Sequence, residues 1–263
     1  MNAREPLRIL VSNDDGIAAP GLHALASAFG DLGRVVVVAP SRERSTTSHS
    51  LTLHKPLRVA SLSEDRFAVS GSPADCLYLG ANSLMDPEPN LVLSGINRGA
   101  NLGTDIHYSG TVAAARGGAM LGLKSFAFSL VSTRDLDASR AGREMDFEMA
   151  GRIARRVVDQ TMDLEFLPHT LLNVNIPNLP EDEIKGIRVT RQGFRHYSRL
   201  VDIKHDPRNH PYYWIAGAYV GFEPGEDTDC HAIDSGFVSV TPLTIDATDS
   251  GFLGLLRQTS FTL

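Results

Sequence analysis

Residues 7–40 read LRILVSNDDGIAAPGLHALASAFGDLGRVVVVAP: an apolar run, a helical pattern and a second apolar run in close succession. The runs LRILVSN (7–13) and RVVVVAP (34–40) are short and rich in β-branched residues, the composition of strands buried on both faces of a parallel sheet. Between them, PGLHALASAFG places Leu22, Leu25, Ala26 and Phe29 on one helical face, with Pro20 suited to the first turn and Gly30 to the stop. Strand, helix and strand in that order form one βαβ unit.

Outward from this unit the alternation continues. SPADCLYLGANSLM (72–85) predicts a helix capped by Ser72 with Pro73 at its first position, and NLVLSG (90–95) predicts a third parallel strand. GTVAAARGGAMLG (110–122) reads as helix, SFAFSLV (125–131) as strand, 143–161 as helix and TLLNVNIP (170–177) as strand. The fold class expected is α/β, a doubly wound, mostly parallel sheet whose sites lie at the carboxyl ends of its strands. Near residue 186 the texture changes. GIRVTRQ, YYWIAG and GFVSVTPL alternate there with polar loops, so 1–185 is expected to form the core. Residues 186–263 are then a β-rich extension and C-terminal segment packed with that core rather than independent. Exposed strand edges tend to be paired or covered, so the extension is expected to pair with another copy as a homodimer or a dimer-based tetramer. Core packing is the role expected of Tyr213 and Trp214.

Composition narrows the function. With 42% hydrophobic and 21% charged residues the chain is an ordinary globular protein, and its net charge of −6 argues against a nucleic-acid polymer as partner. Cys76 and Cys230 form no ligand-like cluster, the N-terminal stretch does not read as a leader, and no run is long enough for a membrane helix. A cytoplasmic protein is expected.

Chemistry concentrates at the strand ends. In SNDDG (12–16) two adjacent aspartates follow the first strand, and Asp14 and Asp15 can converge once Gly16 turns the chain. Held close they repel unless a cation lies between them, and hard oxygens suit Mg²⁺ or Mn²⁺. The bland reading is an Asp-Gly turn with one aspartate as a helix cap. SGINRGANLGTDIHYSGTV (94–112) then brings Asn97 to the same rim as a neutral oxygen ligand. It also offers Ser109, Gly110 and Thr111 at a helix start, a ready anion site, with Asn101 joining the phosphate set. A capped helix after a loop accounts for Ser109 and Thr111 but not for Gly95, Gly99 and Gly103. In PSRERSTTSHSLTL (40–53), Ser45 could ligate the cation and Arg42 or Arg44 could attract phosphate.

ILVSNDDGIAAPGL, VVAPSRERS, GSPADCLYLG, LVLSGINRGANLGTDIHYSGTVAAA and GFVSVTPL, taken in order, closely resemble the SurE (survival protein E) family. The resemblance runs over nearly the whole chain. It implies a Rossmann-like core with an oligomerising β extension, and a metal-dependent 5′/3′-nucleotidase acting on nucleoside monophosphates. By position it places the ligands of one divalent cation on Asp14, Asp15, Ser45 and Asn97, and it leaves polyphosphate hydrolysis open. Thr46 stands where the family usually has glycine, and Gly117 where it usually has glutamate. The chemistry expected is in-line attack of a cation-activated water on phosphorus, with Asp14, Asp15 and Asn97 as the catalytic set and Asp14 orienting or deprotonating the water. His107 is expected at the surface, while Arg191, Arg195, Tyr197, Tyr212, Tyr213 and Trp214 are open candidates for the base. A dinucleotide site is disfavoured because no G-x-G-x-x-G follows the first strand, and an aspartyl-phosphate enzyme would separate its aspartates by one residue. A non-enzymatic nucleotide sensor would not need the metal set.

Overall fold

The computed structural model describes residues 6–132, 143–215 and 217–261. Residues 1–5, where the stretch read as lacking a leader begins, lie outside the described residues. The first half runs β1 (Leu7–Ser12), α1 (Pro20–Ala28), β2 (Gly33–Pro40), β3 (Val59–Ser63), β4 (Arg66–Val69), α2 (Pro73–Leu79), β5 (Leu91–Arg98) and α3 (Gly110–Met120). It continues with β6 (Lys124–Val131), α4 (Phe147–Thr161), β7 (Thr170–Pro177), β8 (Ile187–Val189), β9 (Arg195–Tyr197) and β10 (Val201–His205). The last elements are β11 (Pro211–Ile215), β12 (Tyr219–Phe222), α5 (Asp229–Asp234), β13 (Val238–Thr244) and α6 (Ser250–Leu256).

Nine strands form the central sheet in the order β3-β4-β2-β1-β5-β6-β7-β13-β8. From β4 to β7 every neighbouring pair is parallel; β3 runs antiparallel to β4, and β13 antiparallel to β7. Side chains alternate across this sheet as a period of two requires. Ile9 and Val11 of β1 join Leu22, Leu25, Met149 and Ile153 of α1 and α4, whereas Leu10 joins Leu77 of α2 on the opposite face. Val112, Ala115 and Ala119 of α3 complete that second face against Ala127. A Cβ at Gly117 would overlap Leu77 Cδ2. The position that carries glutamate in the family pattern is here closed by the packing of α2 on α3.

The chain winds outward from β1 through β2 to β4, then returns to β5 and winds the other way through β6 to β7. The order therefore reverses between β1 and β5, and the crevice beyond their carboxyl ends is where an open α/β sheet binds its ligands.

Several elements differ from the sequence reading. The helix read over 72–85 is α-helical only to Leu79 and widens into a π-helical turn over Gly80–Leu84. The β3–β4 pair has no signature in the sequence, since the five residues of β3 are all exposed and carry no buried periodicity. In the segment from 186 onward, expected to pack with the core, β13 and β8 join the main sheet, while β10–β11 and β9–β12 form separate two-stranded sheets. Tyr213 and Trp214, expected in the core, are instead 63% and 60% exposed on β11. Their apolar character sits on a hairpin outside the central sheet, and none of the described residues buries it.

Candidate active site at the switch point

Immediately beyond β1 the chain turns on Asn13, whose buried side chain donates to Gly16 O and accepts from Gly16 N (3.1 and 3.2 Å). That turn delivers Asp14 and Asp15 together to a cleft of about 1120 Å³ that also takes Glu43, Ser45, Asn97, Asn101 and Ser109. Asp14 is nearly buried. Its Oδ1 accepts the Thr111 hydroxyl at 2.5 Å, and the backbone N–H groups of Gly110 and Thr111 donate to the same carboxylate. A Cβ at Gly110 would come within 2.6 Å of Asp14 Cβ, so only glycine lets the helix start close over this aspartate. The amino end of α3 thus already holds an anion, and that anion belongs to the protein.

Thr111, expected as a phosphate donor, points its hydroxyl at Asp14 and does not line the cleft. Thr111 is fully buried with its hydroxyl engaged by Asp14. Gly110 likewise presents its N–H to Asp14. Ser109 stays in the cleft as the cap of α3: its oxygen accepts from Val112 N at 3.0 Å, which leaves its proton for another acceptor. Burial pushes the Asp14 carboxyl up, against the pull of its Thr111 and Gly110 hydrogen bonds. Burial and then the neighbouring Asp14 charge raise Asp15 to about 6, although it accepts the Arg98 N–H at 3.2 Å.

Asn97 reaches the cleft through an irregularity in β5. Pairing with β6 is regular to Ser94 and resumes at Asn97, with Gly95 at φ 129° between them and a Cβ there excluded by Phe128 O. A bulge of this kind re-aims the side chains that follow it. The Asn97 amide nitrogen donates to Gly99 O at 2.9 Å, which leaves Oδ1 as the atom that could face a cation. Asn101, on the same loop, is fixed by a buried asparagine network. Its N donates to Asn175 Oδ1, its carbonyl accepts from Asn173 and Asn175, and its amide donates to Ser129 Oγ at 2.8 Å.

The loop after β2 is tied to Asp14 by Arg44 N, which donates to Asp14 O at 2.7 Å. Ser45 is exposed in the cleft and donates to Glu43 Oε1 at 2.6 Å, a carboxylate the sequence reading did not single out. The two arginines expected to attract phosphate do not line the cleft; Arg44 turns away and donates to Ser70 O at 3.0 Å. Thr46, standing in the family's glycine position, sits at φ 58°. A β-branched residue in the left-handed region costs about 1 kcal/mol or more. Thr46→Gly should therefore raise the urea midpoint of unfolding by an amount worth roughly 0.5–1 kcal/mol, net of the chain entropy glycine adds. A lowered midpoint would mean that contacts of the threonine outweigh its strain.

The outer part of the cleft is walled by Tyr108, Phe147, Tyr197 and Ile215. Of the open candidates for the base, Tyr197 alone has its ring there, and its hydroxyl donates to Asp105 Oδ2 at 2.6 Å. Arg195 is buried on the same Asp105, Arg191 pairs with Asp227 on the surface, and His107 is exposed as expected. Among the described residues no three His, Cys, Asp or Glu side chains converge as a metal centre. Two carboxylates flanked by the neutral oxygens of Ser45 and Asn97 are a hard-oxygen donor set, and the raised Asp15 carboxyl marks a charge conflict that a divalent cation would relieve.

A protein-family model described as Survival protein SurE matches residues 9–199. The chain is 47% identical over 245 residues to the protein named 5′-nucleotidase SurE of Vibrio vulnificus (strain CMCP6), a match covering 93% of this chain and 92% of that protein. It is 49% identical over 248 residues to the protein of the same name from Aeromonas hydrophila subsp. hydrophila, covering 92% and 94%. The crystal structure of the SurE protein from Aquifex aeolicus matches with a TM-score of 0.82 at 43% identity, over 95% of this chain and 98% of that one.

Proposed function

This chain belongs to the SurE family, and from that premise we propose that it is a 5′-nucleotidase, a phosphomonoesterase releasing phosphate from nucleoside 5′- and 3′-monophosphates. The observation that carries the reading is the meeting of Asp14, Asp15, Ser45 and Asn97 in one cleft at the switch point. Those four would hold one Mg²⁺ or Mn²⁺, which supplies a Lewis acid for a phosphoryl oxygen and an acidified water. Asp14, fixed by three donors at the start of α3, orients the attacking water and takes up its proton; burial favours that role because it raises the proton affinity of the carboxylate. Asp15 and Asn97 contribute ligand oxygens, and so does Ser45, whose lone pairs stay open to the cation while its proton is held by Glu43. The Ser109 proton and the Asn101 side chain face the phosphoryl oxygens. The nucleoside lies outward against Tyr108, Phe147 and Tyr197, whose rings offer stacking faces.

Copies of the chain pair through the β10–β11 hairpin, where Val201, Ile203, Tyr213, Trp214 and Ile215 expose 52–95% of their surface. Both cysteines are free and buried, which suits a reducing cytoplasm, and no helix among the described residues is long and apolar enough to cross a membrane.

Release of inorganic phosphate from AMP and from 3′-AMP tests the reading. Turnover with Mg²⁺ or Mn²⁺ that stops in EDTA and returns with excess metal is expected. Turnover indifferent to EDTA would remove the cation, and no release from any nucleoside monophosphate would remove the substrate class.

A further inference from the structure

The cleft is rich in carboxylates. Asp14, Asp15 and Glu43 all line it, and the helix start that would ordinarily receive a phosphate is filled by Asp14 itself. A divalent cation offsets two carboxylates at most, while a phosphomonoester dianion adds about two further negative charges near neutral pH. Arg42 does not reach the cleft and Arg44 is turned onto Ser70. Among the described residues one lysine or arginine side chain lines this cleft, Arg98. It is exposed, stands directly after Asn97 at the end of β5, and its own N–H holds Asp15 Oδ2 at 3.2 Å. Among the described residues its guanidinium makes no hydrogen bond or close ion pair, and the carboxylate that feels its charge is Asp15.

Resting on the nucleotidase reading above, we propose that Arg98 is the phosphate-gripping residue of this site, a cation whose guanidinium pairs with the non-bridging oxygens of the substrate phosphate. The planar fork of arginine suits two oxygens of one phosphoryl group. Arg98 lines the same cleft as the four residues that would hold the cation, so a phosphate drawn to that cation would also be within reach of the arginine. The same placement sets Arg98 against the metal itself, because a guanidinium near the carboxylate pair repels a second cation. The residue therefore acts with opposite signs on the two ligands, favouring phosphate and opposing metal.

Arg98→Gln and Arg98→Lys separate these effects. Binding of inorganic phosphate to the Mn²⁺-loaded protein, and binding of Mn²⁺ to the metal-free protein, are measured by calorimetry alongside thermal unfolding. Arg98→Gln should weaken phosphate about tenfold to hundredfold, the loss of one charge-assisted contact. It should also tighten Mn²⁺ several-fold and leave unfolding unchanged, since the side chain is exposed and any residue there keeps the N–H to Asp15. Arg98→Lys should fall between, retaining charge without the fork. Equal phosphate affinity in parent and Arg98→Gln overturns the proposal, as does a parallel loss of Mn²⁺ and phosphate affinity, the mark of a structural role. If the parent itself binds neither Mn²⁺ nor phosphate, the nucleotidase reading fails and this proposal falls with it, a result distinct from the loss of Arg98's role alone.

Discussion

Asp14→Asn and Asp15→Asn should each lower phosphate release by about 10²–10⁴-fold at saturating Mg²⁺ or Mn²⁺, while the metal-free protein keeps its fold. Removing charge from an unfilled ion site relieves a conflict, and for Asp15 the sign can be followed through pH. Burial and the Asp14 charge raise its carboxyl to about 6 in the folded chain, against about 3.9 when unfolded. A raised carboxyl penalises the folded state above its folded pKa, and the penalty fades as pH falls from about 6 to about 4. In EDTA at pH 8, Asp15→Asn should thus melt above the parent by an amount worth roughly 1–2 kcal/mol after solvent screening. The gain should vanish near pH 4. Adding Mn²⁺ should invert the order, since a ligand that binds only the native state stabilises the protein able to bind it. Near-parental turnover in either variant would end the ligand assignment. An EDTA melting point below the parent's at pH 8 would end the account of the charge conflict.

What could be read from the sequence follows from where strands end. Alternating strand and helix patterns put the carboxyl ends of β1 and β5 on one rim, so Asp14, Asp15 and Asn97 could be brought to a common cleft without coordinates. Direction and partner were harder. A hydroxyl at a helix start signals a cap or an anion hole alike, and nothing near Thr111 reveals that the anion is Asp14, far away in the chain. Arg44 is similarly opaque, because its direction depends on Ser70 O. A signal for the packing of Asn101 is present in the sequence: Asn173 and Asn175 interrupt the apolar TLLNVNIP at a spacing of two, on one face of β7, where buried amides must find partners. Their partner is the backbone of Asn101. Trp214 and Tyr213 misled for the converse reason, since apolarity gives no clue to whether the burying surface lies in the same chain.

Arg195→Ala should destabilise the protein by about 3–5 kcal/mol, the cost of leaving a buried pair with one partner. The arginine is only 7% exposed, at the start of β9, and its Nη1 donates to Asp105 Oδ2 at 2.6 Å. Tyr197 OH donates to the same oxygen at 2.6 Å, and the guanidinium lies 4.1 Å from the centre of the Tyr219 ring. Asp105 belongs to the 3₁₀ segment Gly103–His107, directly before Tyr108 and Ser109 in the cleft. Buried Asp229 fastens the same segment from behind by accepting Gly103 N and Gly193 N at 2.9 and 2.8 Å. Arg195 is therefore a clamp between the extension and the loop that carries Ser109, rather than a contact for the base. Truncating it should also raise KM for AMP, because the loop loses its anchor, with Mn²⁺ affinity left near the parent's since none of the four proposed ligands is hydrogen-bonded or ion-paired to Arg195 or Asp105. Arg195→Met combined with Asp105→Leu removes both charges and fills the space. It should recover a large part of the lost stability, giving a coupling energy on the order of 2 kcal/mol in a double-mutant cycle. Should Arg195→Ala unfold within about 0.5 kcal/mol of the parent, the magnitude of an ordinary surface change, the clamp does not exist and Arg195 is again a candidate for the nucleoside.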